Sequence, residues 1–591
     1  MLNRLHKVVI RFVNYFHESL TARQFFILSS VLVGASAGIA AILLKSIVHY
    51  IQTLVEYSAT NYQQFLWFAL FPLVGLALTF LYVRYILKGT LKKGASEIVY
   101  AIVKKSSILP KSETYGHIIT SALTVGFGGS CGLESPIVST GSAIGSNYAT
   151  TYRLSYKERT ILLGCGAASG IAAVFNAPIA GVLFAIEVLL TDVTVSAFIP
   201  LIVAAATGAL LSKIILQEGV VLTFSLTQEF NYHNVPFYII LGLLAGVLSL
   251  YYANAFHYAE ARIAKIGGPW MRLTVGGLVL ACLLILFPPL YGEGYETIKT
   301  LSNLHPSYLT QTSVLRDLLQ NDWQILLFLA AMVFLKAIAA GITIGAGGNG
   351  GNFGPSLFMG AYLGFAFSRT INLLGLGKIP ETNFTLVGMA GILSGIFHAP
   401  LTAIFLIAEI TGGYGLMIPL MIVSAISILM THFFQPLSME GRKLSTKLKL
   451  SVEDRDKYLL SRLDLSDLIE TNFLSVRPDD KLRDLIQTIS QSRRNTFPVV
   501  NENGTLAGII HLDNVRETIF RTELYDKVTV KELMTPPAST ISPNDNLHIV
   551  LKKFDETNEW NLPITEKGRY LGFLSKSSIL TKYRNELLRS V

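Results

Sequence analysis

Between Ile118 and Tyr152 the chain carries one charged side chain, Glu134, inside the run Gly128-Gly129-Ser130-Cys131-Gly132-Leu133-Glu134-Ser135-Pro136 with apolar segments on both sides. A carboxylate at membrane depth costs roughly 3 kcal/mol on insertion scales, so such a residue usually lines a pathway or cavity. Proline favours a first helical turn, and the residues before it leave backbone N–H groups without carbonyl partners. The run therefore reads as a helix start, which attracts anions through free amides and the positive end of the helix dipole. Gly351-Asn352-Phe353-Gly354-Pro355 reads as a second such start. One exposed terminus contributes only about 0.3–1 kcal/mol, so an anion site inside a membrane needs several converging. At such a start the Glu134 carboxylate is itself an anion, able to occupy the place of a mobile ion and to vacate it on protonation or rotation. The plainer reading is a glutamate that only complements the dipole.

The elements that would position these residues belong to a membrane protein. Of 591 residues 51% are hydrophobic and 15% charged, with a mean hydropathy of +0.49, which a soluble domain rarely reaches. Apolar runs long enough to cross a bilayer lie near Phe25–Val48, Phe65–Ile86, Phe237–Tyr252, Leu273–Leu290, Trp323–Ala346 and Ile418–Phe434. Those from Ile118 to Ala149, Ile161 to Leu190 and Leu386 to Ile410 are cut by Gly and Pro, which predicts helices ending inside the membrane.

The broken runs repeat. Gly166 to Pro178 aligns without gaps on Gly388 to Pro400, an offset of 222 residues that also carries Glu187 onto Glu409. Gly132, Pro136, Gly141 and Gly145 fall on Gly351, Pro355, Gly360 and Gly364 at an offset of 219. Paired interrupted segments in two halves predict a repeated transporter fold with its ligand site where the broken ends meet. Singly, these glycines could equally serve close helix packing.

From about Lys447 charged residues return at soluble density. This tail is duplicated: Phe497–Ile510 and Leu562–Leu574 both read as strand, polar turn and strand, each after an amphipathic helix at Lys481–Ser490 or Asn546–Asn558. At the other end Met1–Phe16 alternates apolar residues with Arg4, Lys7 and Arg11, which suits an amphipathic helix on the cytoplasmic face or a frayed basic tail, not a signal peptide.

Other chemistries fit less well. The net charge of +9 is accounted for by basic cytoplasmic loops, not by nucleic acid. Cys131, Cys165 and Cys282 have no metal-like spacing and read as small core residues, so no metal or disulfide is expected. Gly128–Gly132 fits G-x-S-x-G, and Gly345–Gly351 looks like a phosphate loop, but neither has the sheet context or partner residues those enzymes need. No enzyme is expected.

At this point the sequence resembles the CLC family of chloride channels and proton-coupled chloride exchangers. Gly132–Pro136 is similar to that family's G-[KR]-E-G-P segment, Gly351–Pro355 to its G-x-F-x-P segment, and Phe175–Pro178 with Phe184–Glu187 to its most recognisable helix pair. The resemblance implies an all-α multi-spanning domain with internal inverted repeats and broken helices, followed by a cytoplasmic α/β pair of CBS modules. On that reading residues 1–24 are a cytoplasmic N-terminal helix and 25–440 the transmembrane domain, with repeats about 25–216 and 237–436. Residues 441–462 are a linker and 463–591 the CBS pair, about 463–522 and 527–586. It implies a multi-pass protein of the cell membrane, cytoplasmic at both ends, homodimeric with one pore per subunit, carrying chloride and, in exchangers, protons. Glu134 becomes the gate, the amides of Asn352 and Phe353 contact the central ion, and Leu133, Ser135, Ser438 and Lys93 complete the anion contacts. Fluoride or nitrate through a proton-uncoupled channel is the alternative cargo.

Four positions depart from the family. Lys92-Lys93-Gly94-Ala95-Ser96-Glu97 aligns with G-S-G-I-P-E, putting Lys93 where an ion-coordinating serine is expected. Lys93 then either offers the anion a full charge or snorkels to the cytoplasmic surface, with Ser96 as substitute. Ser438 replaces a tyrosine that contacts the anion, Val188 replaces an internal proton-relaying glutamate, and Leu133 replaces a basic residue at the outer mouth. In the CBS pair, His511 and Asn514 in one copy and Ser575 and Ser578 in the other stand where a Ser/Thr and an Asp would hold a ribose. This weakens adenine-nucleotide binding and leaves a structural role, while a membrane-tethered nucleotide sensor remains the reading from another class. No other cofactor is implied.

Overall fold

The structure is a computed structural model and describes residues 21–57, 68–190, 195–216, 230–302, 309, 313–448, 465–545 and 547–589. The N-terminal helix expected over 1–24 and the linker expected over 441–462 lie largely outside these. The chain divides into two compact units, the second taking over from the first after Lys447.

Among the described residues the first unit is built of helices: α1 (Ala22–Tyr57), α2 (Phe71–Leu81), α3 (Ala95–Lys104), α4 (Glu113–Gly126), α5 (Glu134–Thr151), α6 (Tyr156–Phe175), α7 (Pro178–Phe184), α8 (Val195–Leu216), α9 (Val235–Ala264), α10 (Pro269–Leu286), α11 (Tyr295–Ser302), α12 (Asp322–Gly345), α13 (Phe353–Leu373), α14 (Glu381–Phe397), α15 (Pro400–Ile410), α16 (Met417–Phe434) and α17 (Met439–Leu448). Among the described residues seven helices are long and apolar enough to cross a bilayer. Large hydrophobic side chains such as Leu43, Ile202, Leu243, Leu278 and Leu429 remain exposed, as a lipid-facing surface requires.

The predicted repeat is visible in the backbone. Asn176 ends α6 at φ +52° and His398 ends α14 at φ +54°, both left-handed. A proline two residues later cannot continue the helix but opens the next one, so α7 and α15 start at Pro178 and Pro400. Leu133 before α5 and Asn352 before α13 share one conformation, with φ, ψ of −89°, −12° and −95°, −4°. The glutamates at the ends of the repeats cap each other's halves. Glu187 accepts the N–H groups of Leu401 (3.1 Å) and Thr402 (2.7 Å), and Glu409 those of Ile179 (3.0 Å) and Ala180 (2.8 Å).

Glycine does packing work at two related crossings. A Cβ on Gly166 would come within 1.9 Å of the Gly141 carbonyl oxygen, and one on Gly388 within 2.4 Å of that of Gly360. Backbone therefore meets backbone where α5 crosses α6 and where α13 crosses α14. The buried layer between them is almost wholly small or apolar, from Leu162 to Phe175 and from Phe384 to Ile396.

The second unit holds two hairpins, β1 (Thr496–Val500) with β2 (Leu506–His511) and β3 (Asn561–Glu566) with β4 (Arg569–Ser575), both antiparallel. The preceding helices are α18 (Leu482–Gln491) and α19 (Leu547–Thr557), and α20 (Lys576–Arg589) follows β4. Val476 adds a parallel bridge to Val499 and Ile541 one to Ile564, while Glu470 pairs with Phe573 and Thr535 with Ile509. The last two bridges exchange segments between the modules, so neither completes its sheet alone.

Replacing Gly166 by Val should lower the detergent-solubilised protein's melting temperature. Overpacking typically costs about 1–3 kcal/mol, and a backbone carbonyl cannot rotate away. Gly413→Ala, where a Cβ meets nothing within 4 Å, should leave melting unchanged.

Candidate anion pathway

The two helix starts picked out by the sequence meet. Gly132 and Gly351 form an antiparallel bridge in which each donates its N–H to the other's carbonyl, at 2.9 and 2.7 Å. This two-residue ladder satisfies the backbone just before each helix and holds the first turns of α5 and α13 side by side. Each brings amides with no intrahelical partner to one place.

Glu134 is 1% exposed, and its carboxylate does not complement its own helix alone. One oxygen accepts the N–H of Gly354 in the first turn of α13 (3.3 Å), and the other accepts the hydroxyl of Tyr295. A carboxylate from one half of the repeat thus sits on the helix start of the other. The amide of Leu133, directly before Glu134, donates at 3.0 Å to a second carboxylate, Glu293.

Glu293 lies on the short segment between α10 and α11, and Tyr295 opens α11. Lys336 of α12, wholly buried, pins that segment by donating to the carbonyls of Leu290 (3.2 Å) and Gly292 (2.8 Å) while its ammonium lies 4.8 Å from the Phe358 ring. Sequence reasoning missed all three. Lys336 is the one charged residue between Asp322 and Arg369, so the criterion that found Glu134 would have found it. Glu293 stands between two glycines after an apolar run, a weaker signal, and Tyr295 carries none.

At the other end Lys93 reaches inward. Its ammonium donates to the carbonyls of Gly347 (2.8 Å) and Gly348 (2.7 Å) and does not extend to the surface. It ties the glycine-rich segment ahead of Asn352 to the start of α3. Ser96 is buried, and its N–H is taken by Glu440 of α17 at 3.1 Å, a further carboxylate on a helix start. Ser438 caps the same α17 by accepting the Gly441 N–H (3.1 Å), and its neighbour Met439 reaches the Asn352 amide, sulfur to nitrogen 3.8 Å. The other side of that amide accepts the hydroxyl of Tyr252 at 3.3 Å, so a tyrosine does stand beside Asn352, from α9 and not from the position of Ser438.

Phe353 is 3% exposed and packs among Phe175, Phe184 and Phe397, with ring centroids 5.5 to 6.0 Å away. Phe175 and Phe397 are repeat-related, which explains why the Phe-x-Ala-Pro pattern recurs: each ring seals the same central residue. Ser135 packs against Gly351, where a Cβ would meet its Cβ at 2.7 Å. Val188 lies in a π-helical turn, Ala185–Leu189, packed against the apolar core.

In the second unit Ser575 and Ser578 act first on each other. The Ser575 hydroxyl accepts the Ser578 N–H at 3.0 Å at the start of α20 and donates to Glu470. Both line a cavity of about 660 Å³ with Asp467, Glu470, Arg494, Trp560 and Lys582, whereas His511 and Asn514 lie outside its lining.

Broken, paired helices converging at the middle of a multi-spanning unit define a membrane protein of the internally repeated transporter type. The sequence model described as voltage gated chloride channel matches residues 74–432, and the CBS domain model matches 465–521 and 530–585. The chain belongs to the voltage gated chloride channel (CLC) family and carries a C-terminal CBS pair. A putative chloride channel protein ClcB-like from Ralstonia nicotianae is 30% identical over 387 residues, which are 64% of this chain and 86% of that protein. The crystal structure of a slow cyanobacterial Cl−/H+ antiporter superposes with a TM-score of 0.62 at 21% identity, covering 73% of this chain and all of that one. A eukaryotic CLC transporter superposes at 0.58 and 19% identity, covering 94% and 97%. These likenesses extend the fold over both units.

Lys93→Met should leave two buried carbonyls without their donor, at about 1–3 kcal/mol each. Thermal unfolding in detergent should show a clearly lowered midpoint for this variant. A lysine serving the anion alone would instead lower anion affinity at unchanged stability.

Proposed function

We propose that the protein transports chloride through a pathway gated by Glu134. The observation that carries this reading is the Glu134 carboxylate resting on the Gly354 amide of the opposite helix start. An anion would be drawn there by the same N–H groups and the same dipole. Carboxylate and chloride therefore exclude one another, and protonation or rotation of Glu134 opens the site. Tyr295 favours the closed position by donating to the same carboxylate.

Whether a proton crosses with the ion is a separate question. Val188 cannot relay one, and its surroundings are apolar. This favours a proton-uncoupled path, with fluoride or nitrate as alternative cargo, over an exchanger using the family's inner glutamate. The first unit is proposed to pair as a homodimer through α7 and α15. Their starts expose Ile179 (41%) and Leu401 (47%) beside the capping Glu409 and Glu187, and carboxylates at membrane depth are better covered by protein than by lipid. The positive-inside rule puts the lysine-rich side, Lys88, Lys92, Lys104 and Lys105, in the cytoplasm. That assigns Glu293 to the outer side, since α4 runs from the lysine-rich side toward Gly128, against which Tyr291 packs.

The cavity of the second unit favours a regulatory adenine nucleotide as a second reading. Glu470 and Asp467 supply the carboxylates for ribose that positions 514 and 578 lack, Arg494 and Lys582 supply cations, and Trp560, 71% exposed, offers a stacking face.

In proteoliposomes Glu134→Gln and Glu134→Ala should change chloride flux several-fold and abolish any accompanying proton movement. Unchanged flux in both would sink the gating role, and wild-type vesicles that carry no small anion would sink the transport reading. In the full-length protein, ATP or AMP should quench a Trp560-dependent fluorescence component. A Trp560→Phe variant that retains the whole response would exclude this cavity.

A further inference from the structure

Two carboxylates meet the start of α5, and the gate needs only one. Glu134 projects from the helix itself, while Glu293 reaches in from the segment between α10 and α11 and takes the Leu133 amide at 3.0 Å. The segment is built to present it. Gly292 (φ +58°) and Gly294 (φ +92°) both lie in the left-handed region, and a Cβ on Gly294 would come within 2.4 Å of the Phe358 ring. Their turns carry Glu293 to Leu133 and Tyr295 to Glu134 within three residues. Lys336 holds the carbonyls of Leu290 and Gly292, and Gly292 donates to the Gly128 carbonyl at 3.3 Å.

A neutral side chain would satisfy one amide equally well. A carboxylate next to another carboxylate is repelled by it in a site of low dielectric, a repulsion that the charges of Lys45 and Lys336 oppose, and one amide does not by itself require a charged acceptor. Glu293 is partly exposed whereas Glu134 is 1% exposed, so an ion entering from that side meets Glu293 first. Leu133 contributes no side-chain cation there, and the cations whose charge reaches Glu293 are Lys45 and Lys336.

We infer that Glu293 is a second gating carboxylate, resident on the Leu133 amide, which an entering chloride must displace before it reaches Glu134. The inference rests on Glu134 gating an anion pathway and adds an outer binding step to it. Removing the competitor acts on binding, so it lowers the chloride concentration needed on that side. Glu293→Gln keeps an acceptor for the amide without the charge and stands between wild type and Glu293→Ala.

The test measures initial chloride influx into proteoliposomes of the full-length protein against external chloride, with chloride titrated calorimetrically into the detergent-solubilised protein. Half-saturating chloride should fall several-fold in Glu293→Ala and less in Glu293→Gln, at an equal or higher maximal rate, and the calorimetric affinity should rise in the same order. The inference is overturned if both variants keep wild-type half-saturation and affinity, or if they only lose melting temperature and maximal rate. Should Glu293→Ala not fold, Glu293→Gln alone decides in the same terms. Glu134 variants assayed alongside separate the two ideas: if they alter flux while Glu293 variants do not, the gate stands and this inference falls.

Discussion

Everything in the first unit depends on two helix starts being held against each other with their positive ends unsatisfied. A lone helix start buried in an apolar layer would leave several amides without partners, which is costly. The Gly132–Gly351 bridge turns that cost into a site by satisfying the approach to each helix with the other's backbone. Glycine is needed at both positions, because a Cβ on Gly132 would come within 2.9 Å of the Gly354 backbone nitrogen and one on Gly351 within 2.7 Å of the Ser135 Cβ. The remaining amides then require an anion. The protein supplies one from its own side chains.

The duplication makes this arrangement economical in physical terms. Two copies of one broken-helix pattern, turned against each other, give the positive ends of α7, α13 and α15 a negative partner from the opposite copy. Glu187 serves α15, Glu409 serves α7, and Glu134 serves α13. The first two are bidentate on consecutive amides and hold the frame. Glu134 meets its amide at a longer 3.3 Å and needs Tyr295 as a second partner, a weaker hold that suits a group able to leave.

How much of this was legible in the sequence follows from which interactions are local. Helix breaks at Asn176 and His398, the starts at Glu134 and Phe353, and both hairpins of the second unit are dictated by Gly, Pro and periodicity within a few residues, and the sequence reading found them. Charge isolated in an apolar run pointed to Glu134. Partners brought from far along the chain were not legible: Glu293 meets Leu133 across 160 residues and Glu440 meets Ser96 across 344. Lys93 shows the limit most clearly. The motif departure singles out its position, and both roles the sequence suggests for it involve anion or water. The carbonyls that hold it belong to a glycine run with no side chains to advertise an acceptor.

Lys93 and Glu440 show how the polar groups around Asn352 and Ser96 are held with side chains other than a serine and a tyrosine. From α17, Met439 packs on the Asn352 amide, Glu440 takes the Ser96 N–H, and Lys443 pairs with Glu260 at 3.1 Å. Tyr252 supplies a hydroxyl from α9 on the opposite side of Asn352. The contacts made by α17 fall on α3, α9 and the start of α13 together, so a small rotation of this ten-residue helix would disturb the Ser96 amide and the Asn352 side chain at once. The two residues after Ser438, Met439 and Glu440, thus tie the start of this helix to Asn352 and to the start of α3.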